Sequence, residues 1–205
     1  MELKSYIEKE IIPRYLGFDK AHGPEHVNSV IDRSLELARI YGLDLDMAYT
    51  AAAYHDTGLA EGREKHHLVS GKIIREDRML RNWFSEEQIE IIAEAAEDHR
   101  ASAGREPRSI YGRIIAEADR QIDPELTVRR TVQYGLSHYP EMSKEEHWQR
   151  MLDHLDAKYA EGGYLKLLIP ESDNAKKLAE LRLLLKDRTR LREIFEKEYA
   201  EGRSE

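Results

Sequence analysis

Six residues of the 205-residue chain have side chains and spacing that could share one metal site: His26, His55, Asp56, His67, His99 and Asp119. Each lies on or beside the apolar stripe of a helix, or at that helix's end. His55 follows Met47, Ala51, Ala52 and Tyr54, and His99 continues the stripe of Ile92, Ala95 and Ala96. His67 aligns with Gly71 and Ile74, while Asp119 shares a side with Ile115 and Ile122. One histidine on such a stripe is more often a hydrogen-bonded core residue, and one aspartate near a helix end is usually a cap. Six together need another account. Buried imidazoles and carboxylates are costly unless paired or bound to a cation, and groups converging from several helices are how a bundle builds a transition-metal site. With no cysteine in the chain, any metal is bound through His, Asp, Glu or water.

The elements that would position these groups read as helices throughout. Glu2 to Leu16 places Leu3, Ile7, Ile11 and Ile12 inward, and Gly17 stops it. Pro24 suits a first helical position, and Val27, Val30, Ile31, Ser34 and Ala38 repeat at helical spacing until Gly42. An alanine-rich helix follows from Asp46 to about Thr57, then one from His66 to Arg81. Ser85 with Glu86, Glu87 and Gln88 is a capped, acidic helix start. Further helices are predicted over Ser109 to Ile122, Glu125 to Leu136, Ser143 to Tyr159 and Asn174 to Tyr199. No alternating pattern suggests a strand. The expected architecture is all-α: one helical domain with a core of about residues 18–122 and a C-terminal helical extension of about 124–205. His138, His147 and His154 read as surface or flanking positions, because Trp148, Leu152, Leu155 and Tyr159 make the better apolar stripe there. The last helix, with Leu178, Leu181, Leu185 and Phe195, reads as packing or a homodimer contact.

A net charge of −8 argues against a protein that tracks nucleic-acid polymers, which needs clustered Lys and Arg. It leaves room for a nucleotide, since a bound cation offsets local repulsion. No segment approaches the roughly 20 apolar residues of a membrane span, so the expectation is a cytoplasmic protein without a membrane partner.

The pair His55-Asp56, preceded by His26 in His-Gly-Pro-Glu-His-Val and followed by Asp119 in Ala-Glu-Ala-Asp-Arg, resembles the HD-domain superfamily of metal-dependent phosphohydrolases. The likeness covers roughly Phe18 to Ile122. It implies an HD-like helical bundle whose metal is held by His26, His55, Asp56 and Asp119. A subgroup binds two ions through extra histidines, and His67-Leu-Val-Ser-Gly and Glu-Asp-His99-Arg resemble its pattern. By that resemblance His67 and His99 hold the second ion, Asp56 bridges, and Asp56, His67 and His99 carry the catalysis. His66 competes with His67, and the spacing to Gly71 favours His67. The cofactor is one or two divalent ions, with Mn, Fe, Mg, Co, Ni and Zn all compatible.

The implied chemistry is cleavage of a phosphate ester of a small molecule or nucleotide by metal-activated water. His22, four residues before His26, and Arg63, Lys65, Arg100 and Arg120 are the candidates for binding phosphate. Two substrate classes of the superfamily fit poorly. The acidic pair of alarmone hydrolases is replaced by Thr57-Gly58-Leu59-Ala60-Glu61, and the Gly-Tyr-Pro signature of the cyclic-dinucleotide branch is missing. Two other functions use similar ligands: a metal- and nucleotide-binding sensor without turnover, and a di-iron oxygenase.

Overall fold

Pro13 can neither donate to a helical carbonyl nor fit its ring inside an unbroken turn, and the first helix changes pitch around it. In the computed structural model, which describes residues 2–19, 22–100, 105–120 and 122–203, α1 (Leu3–Tyr6) leads into a wide π turn over Ile7–Ile11. A tight 3-10 segment over Ile12–Gly17 follows. The later helices follow the hydropathy pattern closely, and among the described residues there is no strand.

The chain divides into two compact units, Met1–Arg120 and Gln121–Glu205. In the first, α2 (Pro24–Ile40) opens with Pro24 and buries Val27, Val30, Ile31, Ser34 and Ala38. α3 (Leu45–Tyr54) is capped by Asp44, whose side chain accepts from the amides of Asp46 and Met47 at 2.9 and 3.1 Å. Ala51, Ala52 and Ala53 are fully buried, and their small side chains let α2 and α5 pack against α3.

α4 (His66–Glu76) ends earlier than its hydropathy suggests. Asp77 leaves the helix to accept from the Met79 amide at 2.9 Å, and it also accepts from the hydroxyls of Tyr6 and Tyr54 at 2.7 and 2.6 Å. Arg78–Asn82 then form a 3-10 turn. α5 (Glu86–Asp98) begins with a reciprocal cap between Ser85 and Gln88. α6 (Ile110–Asp119), capped by Ser109, packs on α2 and α5.

The second unit contains α7 (Pro124–His138), α8 (Lys144–Tyr159), α9 (Asn174–Lys186) and α10 (Arg188–Gly202). The helix read over Asn174 to Tyr199 is broken at Asp187, which accepts from the Arg190 amide at 3.0 Å and so starts α10. These helices enclose a core that includes Val128, Val132, Met151, Leu155, Leu181, Leu191 and Phe195. His138 and His154 are exposed as read, but His147 is buried against the ring of Tyr199, 5.7 Å between centroids. The expectation of a surface position fails there because His147, Met151 and Leu155 form one buried face of α8.

Candidate metal centre

Five helix ends of the first unit bring the candidate ligands together. His26 sits in the first turn of α2, His55 and Asp56 directly follow α3, His66 opens α4, and His99 and Asp119 close α5 and α6. Three of the imidazoles are fixed in the same way. The Nδ1–H of His55 points to the Ala52 carbonyl at 2.7 Å, that of His66 to Arg63 at 2.8 Å, and that of His99 to Ala96 at 2.5 Å. Each bond spends the Nδ1 proton on a carbonyl three residues back and leaves the Nε2 lone pair facing inward.

The inward atoms form two trios that share one carboxylate. Asp56 Oδ2 lies 3.6 Å from His26 Nε2 and 3.3 Å from His55 Nε2. Its other oxygen, Oδ1, lies 3.3 Å from His66 Nε2 and 3.4 Å from His99 Nε2. Within the trios, His26 and His55 approach at 3.2 Å between Nε2 atoms, and His66 and His99 at 3.1 Å. Asp119 Oδ1 joins the first trio, 3.2 Å from His26 Nε2 and 3.9 Å from His55 Nε2.

This donor set fits a divalent cation. Nitrogen and oxygen ligands about 2.1 Å from one ion stand roughly 3.0–3.4 Å from one another, and all but the 3.6 and 3.9 Å contacts fall in that range. Lone pairs converging at such distances repel unless a positive charge lies between them. Protons supply that charge wherever an ion does not. Burial works against a charged His26, yet its hydrogen bonds to Asp119 and Asp56 outweigh burial and push its pKa up to about 9. Burial likewise opposes a charged His99, and Asp56 raises it overall. The two carboxyls respond in the opposite sense. Burial alone would raise both, but the charge and hydrogen bonds of the surrounding imidazoles hold Asp56 and Asp119 below the ordinary carboxylate range. His26 Nδ1, buried and without a hydrogen-bond partner, lacks the backbone tie of the other three.

The predicted ligands His26, His55, Asp56, His99 and Asp119 are thus brought together, and His67 is not. His66 takes its place. The buried stripe of α4 runs His66, Ser70, Ile74, whereas His67 is turned about 100° away and is only half-buried. Burial and the neighbouring positive groups lower the His67 pKa to about 4. Gly71, whose spacing favoured His67, has a different role: a Cβ there would meet the side chain of Glu97.

The candidate phosphate-binding residues have varied surroundings. His22 lies beside the site, its ring 5.9 Å from that of His26 and its Nδ1 2.8 Å from Asp19 Oδ1. Arg63 and Lys65 are exposed on the turn leading into His66. Arg100, directly after His99, donates to the Glu64 carbonyl, and Arg120 pairs with buried Glu117 at 3.4 Å.

Sequence reasoning missed Tyr15. Its buried hydroxyl donates to the Ala53 carbonyl at 2.9 Å and accepts from the Asp56 amide at 3.2 Å, which fixes the backbone between His55 and Asp56. An aromatic residue in a helix gives no sequence signal for such a role. The following turn is held by Ser70 Oγ, which accepts from the Gly58 amide at 2.9 Å and links the Asp56 segment to the helix of His66.

Comparison with known proteins agrees with this geometry. The family model of the HD domain matches residues 24–121. A crystal structure of a predicted HD superfamily hydrolase from an uncultured Thermotogales bacterium has a similar fold, with 22% sequence identity and a TM-score of 0.50. The likeness covers 75% of this chain and 90% of that one. No curated protein matches the chain. The matched segment contains His26, the His55-Asp56 pair and Asp119 in order on an all-helical frame, and over residues 24–121 the chain carries an HD domain.

Proposed function

We propose that the protein is a two-ion phosphohydrolase acting on a small phosphate ester or nucleotide. The observation that carries this reading is the division of one buried carboxylate, Asp56, between two histidine pairs. A divalent ion in such a place supplies Lewis-acid polarisation of a phosphoryl oxygen and makes water a stronger acid. His26, His55, Asp56 and Asp119 would hold one ion, and Asp56, His66 and His99 the other.

The chain's own part is orientation. Tyr15 fixes the Asp56 backbone, and the carbonyls of Ala52, Arg63 and Ala96 fix three rings before any ligand arrives. His22, Arg63, Lys65, Arg100 and Arg120 surround the ligands in sequence and suit one or two phosphates better than a polymer, given the charge of −8.

A screen of phosphomonoesters and nucleotides across several divalent ions tests the reading. Asp56→Ala should lose both ions and all turnover. His66→Gln should weaken one ion by at least the roughly 10–100-fold seen when a supporting residue of a metal site is lost, and His67→Gln should leave ion content unchanged. Full ion content in Asp56→Ala would remove the site assignment. Oxygen consumption by iron-loaded protein without phosphate release would make it an oxygenase, whose ligand types overlap with these. Nucleotide binding without turnover would make it a sensor.

A further inference from the structure

An ion-pair network built on two buried carboxylates adjoins the second trio, and none of its members is a candidate ligand. Glu97 and Asp98 end α5 immediately before His99. The Asp98 side chain is fully buried and accepts from the Arg108 amide at 2.7 Å, from Arg108 Nε at 3.1 Å and from Arg105 Nη2 at 2.9 Å. Glu97 accepts from Arg108 Nη2 at 2.6 Å and from Arg75 Nη1 at 2.5 Å. Arg75 belongs to α4, which opens with His66, and its remaining nitrogens donate to Glu90 of α5 at 2.7 and 2.8 Å. Gly71 leaves the space through which Glu97 reaches α4. The network therefore ties together the two helices that contribute His66 and His99, and it includes Arg105 and Arg108 just before α6. The His26 and His55 rings have no comparable support from these residues, because they come from α2 and α3; the network does reach the start of α6 at Arg108 and Gly112, but Asp119 lies at the opposite end of that helix.

We infer that Glu97, Asp98 and Arg108 are positioning residues that set the ion affinity of the trio of His66 and His99 and not that of the trio of His26 and His55. The inference rests on the two-ion reading above. Ligand imidazoles bind well only when their spacing matches the ion, and two rings on separate helices keep that spacing only while the helices are fixed relative to each other. Fork-shaped guanidinium pairs supply direction as well as charge, which is what such a fastening needs.

Calorimetric titration of ion-free protein with Mn²⁺ reads this directly. The wild type should show two binding steps. Arg108→Ala and Glu97→Gln should each weaken one step by about 10–100-fold, reproduce the profile of His66→Gln, and keep the other step within about twofold. Arg108→Lys, which retains charge without the fork, should fall between. Leu80→Ala, a core change in the same unit, should lower thermal stability while keeping both steps. Two unaltered steps in Arg108→Ala and Glu97→Gln, or equal weakening of both, overturn the inference alone. A single step in the wild type overturns the two-ion reading and this inference with it. If Arg108→Ala does not fold, Glu97→Gln, which preserves side-chain shape, decides the matter.

Discussion

His55 and His147 are both buried imidazoles, and they meet burial in opposite ways. His55 gives its Nδ1 proton to a carbonyl and turns Nε2 toward two carboxylates. His147, on the buried face of α8, has no hydrogen-bond partner at either nitrogen. Around it are Arg150 and Glu146 of its own helix, Glu141 before it, and Tyr199 and Arg203 from α10 and its end. Burial lowers its pKa, and Arg150 and Arg203 add to the shift against the acidic pair. The unfolded chain, where the ring titrates near its ordinary value of about 6.5, then binds more protons than the folded one. The contribution of His147 to stability therefore falls as pH drops below that value and stays level above it. We predict that His147→Phe narrows the difference in urea midpoint between pH 7.5 and pH 5 in ion-free protein. An undiminished difference would assign the acid sensitivity to other groups.

Among the elements, the turn after α3 is the least tolerant of change. A Cβ on Gly58 would run into the His66 carbonyl and lie 2.7 Å from the Ser70 amide and 2.8 Å from the Val69 Cβ, all of α4. Gly17 has nothing within 4 Å of the same position. Gly58→Ala should therefore cost at least the ~1–3 kcal/mol of an overpacked site and displace His66, whereas Gly17→Ala should stay within about 0.5 kcal/mol. Denaturant unfolding compares the two, and equal effects would refute the close approach. The same elements show what the sequence made legible. Helix starts with local signals, Pro24 and the Ser85–Gln88 box, are read correctly because their physics lies within four residues. The π turn before Pro13 and the exit at Asp77 depend on packing or on bonds from distant residues such as Tyr6 and Tyr54, whereas the break at Asp187 had a local signal, its cap on the Arg190 amide, that the apolar periodicity hid. Five of the six clustered residues were legible from helix periodicity and family likeness together. His66 and His67 differ by one step of about 100°, and only the packing of α4 on α5 decides which ring turns inward. Glycine spacing misled because Gly71 accommodates Glu97 and not the metal site.

For the whole molecule, an excess of acidic residues, 40 against 32 basic, makes cations natural partners. No described helix is long and apolar enough to cross a membrane. An ion bound to the folded chain at a concentration 100 times its dissociation constant should add about 2.7 kcal/mol of stability. That gain should appear as a higher unfolding temperature with Mn²⁺, reversed by a chelator and missing in Asp56→Asn. An unfolding temperature indifferent to every divalent ion would exclude binding specific to the folded state. The three carbonyls that fix His55, His66 and His99 have one more consequence. Each acceptor is main chain, so it is present whatever amino acid occupies its position. The tautomers of these ligands are therefore insulated from mutation of the residues that hold them. A lineage could rewrite the pocket walls, and with them the choice of substrate, while inheriting the same ligand field unaltered.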